Sequence, residues 1–135
     1  MRKILILSAI MVLIAGMSCL GQSRNVQCTF TWTATGDDSL SGQASKYSIK
    51  YSTTSLTEAN WGSATEILES TTKVPKPSGQ PETLIVTLTL TQGNTYYFAI
   101  KAADEVPNWS PISNVVSRFI SDIFPPAMII NFKLQ

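Results

Sequence analysis

The chain has no histidine among its 135 residues, which removes the usual general base, the serine-type triad and the commonest zinc ligand together. What is left for chemistry is two acidic pairs, two thiols and three indoles. The acidic pairs are Asp37-Asp38 and Asp104-Glu105. Two opposed carboxylates can hydrolyse a glycosidic bond when they flank a cleft, and gathered oxygens can hold a hard cation such as calcium. These four acids do not follow the ordered ligand spacing of an EF-hand, so a cation site depends on the fold bringing the pairs together. The simpler reading is that Asp37 and Asp38 cap a turn through side-chain to backbone bonds, with Asp104 and Glu105 solvated.

The thiols divide by position. Cys28 sits in Val26-Gln27-Cys28-Thr29-Phe30-Thr31-Trp32, where alternation places it on the apolar face of a strand, as a small buried hydrophobe rather than a reactive group. Cys19 follows Arg2, Lys3, an apolar run over residues 4–17 and then small and polar residues. That order is a secretory signal peptide, here residues 1–21. The run falls short of the roughly 20 apolar residues that a membrane-spanning helix needs. Ala15-Gly16-Met17-Ser18-Cys19 also resembles a bacterial lipoprotein box, with Gly16 where that box prefers leucine. Cys19 is therefore the lipidation candidate, and acylation there would make the product membrane-anchored rather than soluble. Cys19 leaves with the signal or carries lipid, so Cys28 has no intramolecular partner and no disulfide is expected, although export would permit one.

Loss of Arg2 and Lys3 leaves 8 basic residues against 9 acidic. A near-neutral surface offers no electrostatic footing for nucleic acid or anionic lipid. Membrane contact is expected only through the signal or a lipid anchor. The mature length of about 114 residues suits one domain.

The elements that must position these groups are strands. Period-two signals cover residues 26–34, 46–52, 64–68, 84–91, 95–103 and 113–120, separated by Gly, Pro, Asn and Asp clusters. Residues 55–60 have the character of one short helical turn before Trp61. Residues 74–81 hold Pro75, Pro77, Pro81 and Gly79, which excludes central strand pairing and marks an exposed loop. Tyr47, Ile49 and Tyr51 alternate with polar residues, as do Tyr96, Phe98, Ile100 and Ala102. Two such sheets facing each other bury their apolar faces in a layer about 10 Å thick. The expected fold class is all-β, an antiparallel β-sandwich, centred on Trp32, Tyr47, Ile49, Phe98 and Ile100.

From Trp32 onward the series Gly36-Asp37-Asp38, Gly42, Tyr47, Tyr51, Trp61, Tyr96-Tyr97-Phe98, Asn108-Trp109-Ser110 and Ser113-Asn114-Val115 resembles a fibronectin type III domain of the variety found in bacterial exported proteins. The resemblance implies an immunoglobulin-like sandwich over residues 22–121. Leu90, six residues before Tyr96, resembles the family's tyrosine corner, in which the phenol reaches back to upstream backbone. In such a sandwich the loops carrying Asp37-Asp38 and Asp104-Glu105 lie at one end. Trp61 and Trp109 match the family's pattern as edge-packing residues, and they are also candidates for an aromatic platform for a sugar or peptide. The resemblance implies a non-catalytic adhesion, spacer or interaction module with no cofactor, whose partner is an extracellular protein or glycan. An accessory domain of a carbohydrate-active enzyme is the rival from another class.

One departure concerns the ends. The family's first strand precedes the one holding tryptophan, and here residues 22–25 are too few for it. Residues 122–135 nonetheless resemble a linker and first strand, beginning Asp122-Ile123-Phe124-Pro125-Pro126. Either the chain is a fragment whose following module is missing, or residues 125–135 complete the sheet edge of another molecule in a head-to-tail array. Returning within one molecule would need a span of about 25 Å, while residues 121–126 reach only about 20 Å when extended.

Overall fold

The computed structural model describes residues 21–38, 41–106, 108–126, 128–130 and 133–134. The expected signal segment through residue 20, with Cys19, lies outside the described residues. Among those described, no helix is long and apolar enough to cross a membrane.

Thr and apolar residues alternate along β1 (Ser23–Thr33) and along β4 (Pro81–Thr91), so each strand has one apolar and one hydroxylated face. The two pair antiparallel over their full length, from Ser23 opposite Thr91 to Thr33 opposite Pro81. Val26 and Cys28 thereby meet Leu88 and Val86 on the inner side. This ribbon is one sheet. The other runs β3 (Thr65–Ile67), β2 (Lys46–Ser52), β5 (Thr95–Ala103) and β6 (Val116–Phe119), all neighbours antiparallel. The all-β sandwich expected from the alternation is what forms.

Its core is Val26, Cys28, Val86, Leu88 and Leu90 from the ribbon, facing Ile49, Ile67, Tyr96, Phe98 and Ile120. Each fully buried aliphatic or aromatic side chain contributes roughly 1.5–3 kcal/mol, and Cys28 is a free buried thiol with no covalent role. Phe30 packs on Phe98 at 5.3 Å between ring centres, and Trp32 meets Tyr47 edge-on at 5.1 Å. Of the residues expected at the centre, Tyr47, Ile49, Leu90, Tyr96 and Phe98 are buried. Trp32 and Ile100 are only partly so, together with Phe30. The reason is their position beside an open seam where both sheets end, described below.

The second and fifth strands match their expected limits, while the first and fourth are longer than their apolar runs. Ser23 and Arg24 extend β1 because Thr91 and Leu90 lie opposite to pair with them. Pro81 opens β4, a position where the missing N–H costs least. The last strand is shorter than expected. Pro111 has no donor, and along residues 110–113 serines stand in for the ladder. Ala102 N–H donates to Ser110 Oγ at 3.1 Å and Ile100 N–H to Ser113 Oγ at 3.0 Å, while the Ser110 and Ser113 amides return bonds to Ala102 O and Ile100 O.

The short helical turn falls at Trp61–Ser63 rather than over 55–60, because Asn60 and Thr57 close the preceding loop on each other. No helical period marks α1 (Leu68–Thr72) in the sequence. It brings Ser70 under the sheet, where Ser70 Oγ donates to Ile67 O at 2.6 Å and accepts from Ile49 N–H at 2.9 Å.

The β4–β5 turn holds Gly93 at φ 78°, a conformation costly for residues with a Cβ. Directly beside it, Thr91 N–H donates to the Tyr96 hydroxyl at 3.0 Å, so the phenol closes on backbone five residues upstream as its spacing from Leu90 implied. Tyr96→Phe deletes that one bond and should cost about 1 kcal/mol, whereas Leu90→Ala opens a core cavity and should cost about 2–5 kcal/mol. Urea unfolding of the two variants beside the parent chain measures both.

Candidate functional site

The outward face of β2 and β5 is where the indoles and cations converge. Period two turns Ser48 and Lys50 of β2 outward together with Ala99 and Lys101 of β5, opposite the core. This face is not bare. Loop residues 55–63 cross over it from one side and residues 108–113 from the other, so Ser48 and Ala99 are buried although they lie on the outer side. Between the two loops lies a hollow of about 340 Å³ lined by Ser48, Lys50, Trp61, Glu66, Lys101 and Trp109.

Its walls are cation–aromatic contacts. Lys50 and Lys101 ammonium groups stand 5.5 and 5.2 Å from the Trp61 ring centre, and Lys46 stands 5.3 Å from that of Trp109. Trp109 remains 44% exposed. Trp61 and Trp109, expected as edge packing or as binding aromatics, stand over lysines of the sheet and both line this hollow. Ser48 Oγ donates to Glu66 Oε1 at 2.6 Å, which fixes the acidic side of the hollow.

Glu58 holds the two covering loops together, and sequence reading passed over it. Its carboxylate accepts from Lys101 Nζ at 2.5 Å and from Ile112 N–H at 2.6 Å. The bond from Lys101, then that from the Ile112 amide, hold its pKa below the usual carboxylate range, with burial opposing. A single acid in a polar loop carries no signal of such a role. Lys50 was legible as an outward residue of β2, and the same alternation applied to β5 would have placed Lys101 beside it.

The four acids that could have held calcium do gather at one end, with Glu105, Asp38 and Asp104 all acting on Asp37. A hollow of about 240 Å³ there is lined by Thr35, Gly36, Asp37, residues 102–104 and residues 108–110, so by Asp37 and Asp104 of the four. They are not arranged as a cation site: among the described residues no three acidic, thiol or imidazole side chains could hold a metal. Asp104 is committed to its own turn, accepting from Val106 N–H at 2.9 Å, Asn108 N–H at 2.8 Å and Asn108 Nδ2 at 2.6 Å. The Asn108 side chain, then its amide, lower the Asp104 pKa. The Asp37-Asp38 turn is instead closed by backbone, with Asp37 N–H on Ser41 O at 2.8 Å. The roles are thus opposite to those expected, because a Cβ on Gly36 would stand 2.1 Å from Ser41 O, so only glycine lets the backbone close so tightly. Burial, then Glu105, Asp38 and Asp104, push the Asp37 pKa up.

At the same end, where β1 finishes and β4 begins, a buried acid clamps the proline-rich loop. Glu82 Oε1 accepts from Lys76 N–H at 2.7 Å, its other oxygen pairs with Lys73 Nζ at 2.9 Å, and Tyr47 Oη lies 3.5 Å away. Burial pushes this carboxylate up, but the Lys73 and Lys76 bonds together outweigh it and leave the pKa lowered. Burial also raises the Cys28 thiol, only partly opposed by Arg118, which keeps it unreactive.

No protein-family model matches the chain, and no solved structure matches it. Curated proteins do. Over 101 residues the chain is 36% identical to calcium-activated chloride channel regulator 1 of Homo sapiens, covering 71% of this chain and 11% of that protein. The Equus caballus protein of the same name is 34% identical over 101 residues, again 71% of this chain and 11% of the relative. That of Mus musculus is 35% identical over 110 residues, 78% of this chain and 12% of the relative. The chain thus spans little more than a tenth of the length of these relatives.

The acids set opposite pH responses. Lowered folded-state pKa values at Glu58 and Asp104 add stability above the ordinary carboxylate range, near pH 4, that is lost as pH falls through the lowered values. The raised value at Asp37 does the reverse: it costs stability at neutral pH and nothing once the group is protonated in both states. Melting temperatures from pH 7 to 2 should show Glu58→Gln below the parent at pH 7 and converging with it in acid. Asp37→Asn should lie above the parent at pH 7 and likewise converge.

Proposed function

We propose that the chain is an exported, non-catalytic interaction module of the fibronectin type III kind, held in the cell envelope or released outside the cell. The observation that carries the binding role is the hollow between Trp61 and Trp109, a surface where two indoles from the covering loops stand over three lysines of β2 and β5 beside Glu66 of β3. Surfaces of this kind, with aromatic anchors beside polar groups on a fixed scaffold, suit recognition of an extracellular protein or a glycan. The tyrosine closing on backbone at Thr91 and the two facing sheets support the family reading.

The mammalian relatives support a module and no more. An aligned stretch of about 100 residues is the size of one domain, and here it lies within chains roughly nine times longer. The regulation of a chloride channel in their name belongs to those whole proteins and is not carried over to this one.

Export follows from residues 1–21, and Cys19 decides whether the product is anchored. Mass spectrometry of the mature N-terminus reads this directly: a chain starting near Gln22 is released, one starting at acylated Cys19 is lipid-anchored, and an intact Met1 shows that the signal is not cleaved. For binding, the immobilised chain is passed over a glycan array and a panel of extracellular proteins. Trp109→Ala should weaken any captured partner about tenfold or more while leaving the melting temperature within a few degrees. Turnover of a glycan substrate would point instead to an accessory part of a carbohydrate-active enzyme and defeat the non-catalytic reading.

A further inference from the structure

The two sheets end together on one side and leave a seam. β1 is the outer strand of the ribbon and β6 the outer strand of the larger sheet. They come close enough for Arg118 of β6 to donate to Gln27 O of β1 at 3.0 Å. Beyond that bond the seam opens into a cavity of about 250 Å³, lined chiefly by Phe30, Trp32, Ile49, Phe98, Ile100 and Val116. These are core-type side chains, and Phe30, Trp32 and Ile100 are left partly exposed.

The main chain on this edge is also unspent. Ala34 exchanges bonds with Gly79 and Gln80 on the β4 side, so even-numbered residues of β1 turn toward β4 and odd-numbered ones away from it. Gln27, whose carbonyl Arg118 takes, confirms the direction. The N–H and C=O of Thr29 and Thr31, both at the cavity lip, therefore face outward with no strand beside them among the described residues. An edge of this kind accepts an added strand.

The chain carries a segment of matching pattern. Over residues 128–134 the sequence is Met-Ile-Ile-Asn-Phe-Lys-Leu, which as a strand would set Met128, Ile130, Phe132 and Leu134 on one side and Ile129, Asn131 and Lys133 on the other. Its described apolar members are unburied: Met128 is 82% exposed, Ile129 75%, Ile130 86% and Leu134 99%. Direction decides whose seam it fills. Ile120 is bonded to Gly93 and Asn94, and Ile123 to Gln92, so the tail leaves at the end where β1 begins. The cavity starts at Thr29, six residues and roughly 20 Å further along β1. A tail turning back on its own molecule would run parallel to β1, the weaker pairing. A tail arriving from a neighbour placed beyond Thr33 runs antiparallel.

We infer that residues 128–134 of a second copy add as an antiparallel strand to the Thr29–Thr31 edge of β1, filling the seam and joining copies head to tail. Such an interface is heterologous, so it propagates into chains or closes into rings. Ile130→Asp disables the donor. Thr31→Pro disables the acceptor, and because this N–H points away from β4 the substitution leaves the existing ladder intact.

Sedimentation velocity on the full exported chain at increasing concentration tests the inference, with circular dichroism and melting curves establishing that each variant is folded. The parent should form concentration-dependent oligomers, and each variant alone should associate at least tenfold more weakly. Mixing the two should restore a species that stops at the dimer, since one keeps a competent edge and the other a competent tail. A parent that stays monomeric at several hundred micromolar overturns the inference. So does assembly that survives both substitutions, or a mixture that does not pair.

Discussion

Among the described residues a ribbon two strands wide covers a sheet four strands wide, and most of what is particular about this molecule follows from that mismatch. β1 and β4 bring Val26, Cys28, Val86, Leu88 and Leu90 over Ile49, Tyr96 and Phe98, and there the two faces interlock closely enough to need no disulfide. The packing thins toward the free side of β1. Phe30 and Trp32 still touch Phe98 and Tyr47, but among the described residues no strand lies beyond them, so they behave as core on one flank and surface on the other. The open seam is the geometric remainder of covering four strands with two.

Where strands do not suffice, polar side chains complete the backbone pairing. Ser70, Ser110 and Ser113 each accept from a sheet amide at or beyond the end of the neighbouring strand. A buried amide left unpaired costs on the order of 1–3 kcal/mol, so these hydroxyls are what permits the sheet to be edged by a helix and an irregular segment. Two acids act at larger scale. Glu82 ties the proline-rich loop to the strand start, and Glu58 ties two loops across the outer face of the sheet. Both are single carboxylates serving several donors at once, an arrangement in which loss of the acid strands all of them.

The fold was legible because period two is written plainly in β2 and β5, whose ends at Lys46, Ser52, Thr95 and Ala103 coincide with the change from alternation to turn residues. The ends of β1 and β4 were less so, since Ser23 and Pro81 owe their strand conformation to the residue opposite and not to their own type. Ser70 and Glu58 were illegible for a related reason: each acts on residues 21 to 54 positions away, and no local pattern encodes such a meeting. The acidic end shows the limit from the other direction. Sequence correctly gathered Asp37 and Asp104, yet it could not tell which turn would be closed by backbone and which by carboxylate, because that depends on how near Gly36 comes to Ser41.

The two surfaces left by this architecture do not compete. The tryptophan–lysine hollow lies on the outer face of β2 and β5, whereas the seam lies at the side, between the edges of β1 and β6. Strand addition consumes hydrogen-bonding groups in the plane of a sheet and leaves side chains on the far face of the other sheet untouched. Copies joined through their seams would therefore present the hollow once per module in a regular row. A contact too weak to hold one module becomes effective when neighbouring modules engage together, because each later contact forms at an effective concentration set by the spacing. In that arrangement the deficit of strands on one side and the aromatic face on the other belong to one design: the first would set the repeat, the second what the repeat displays.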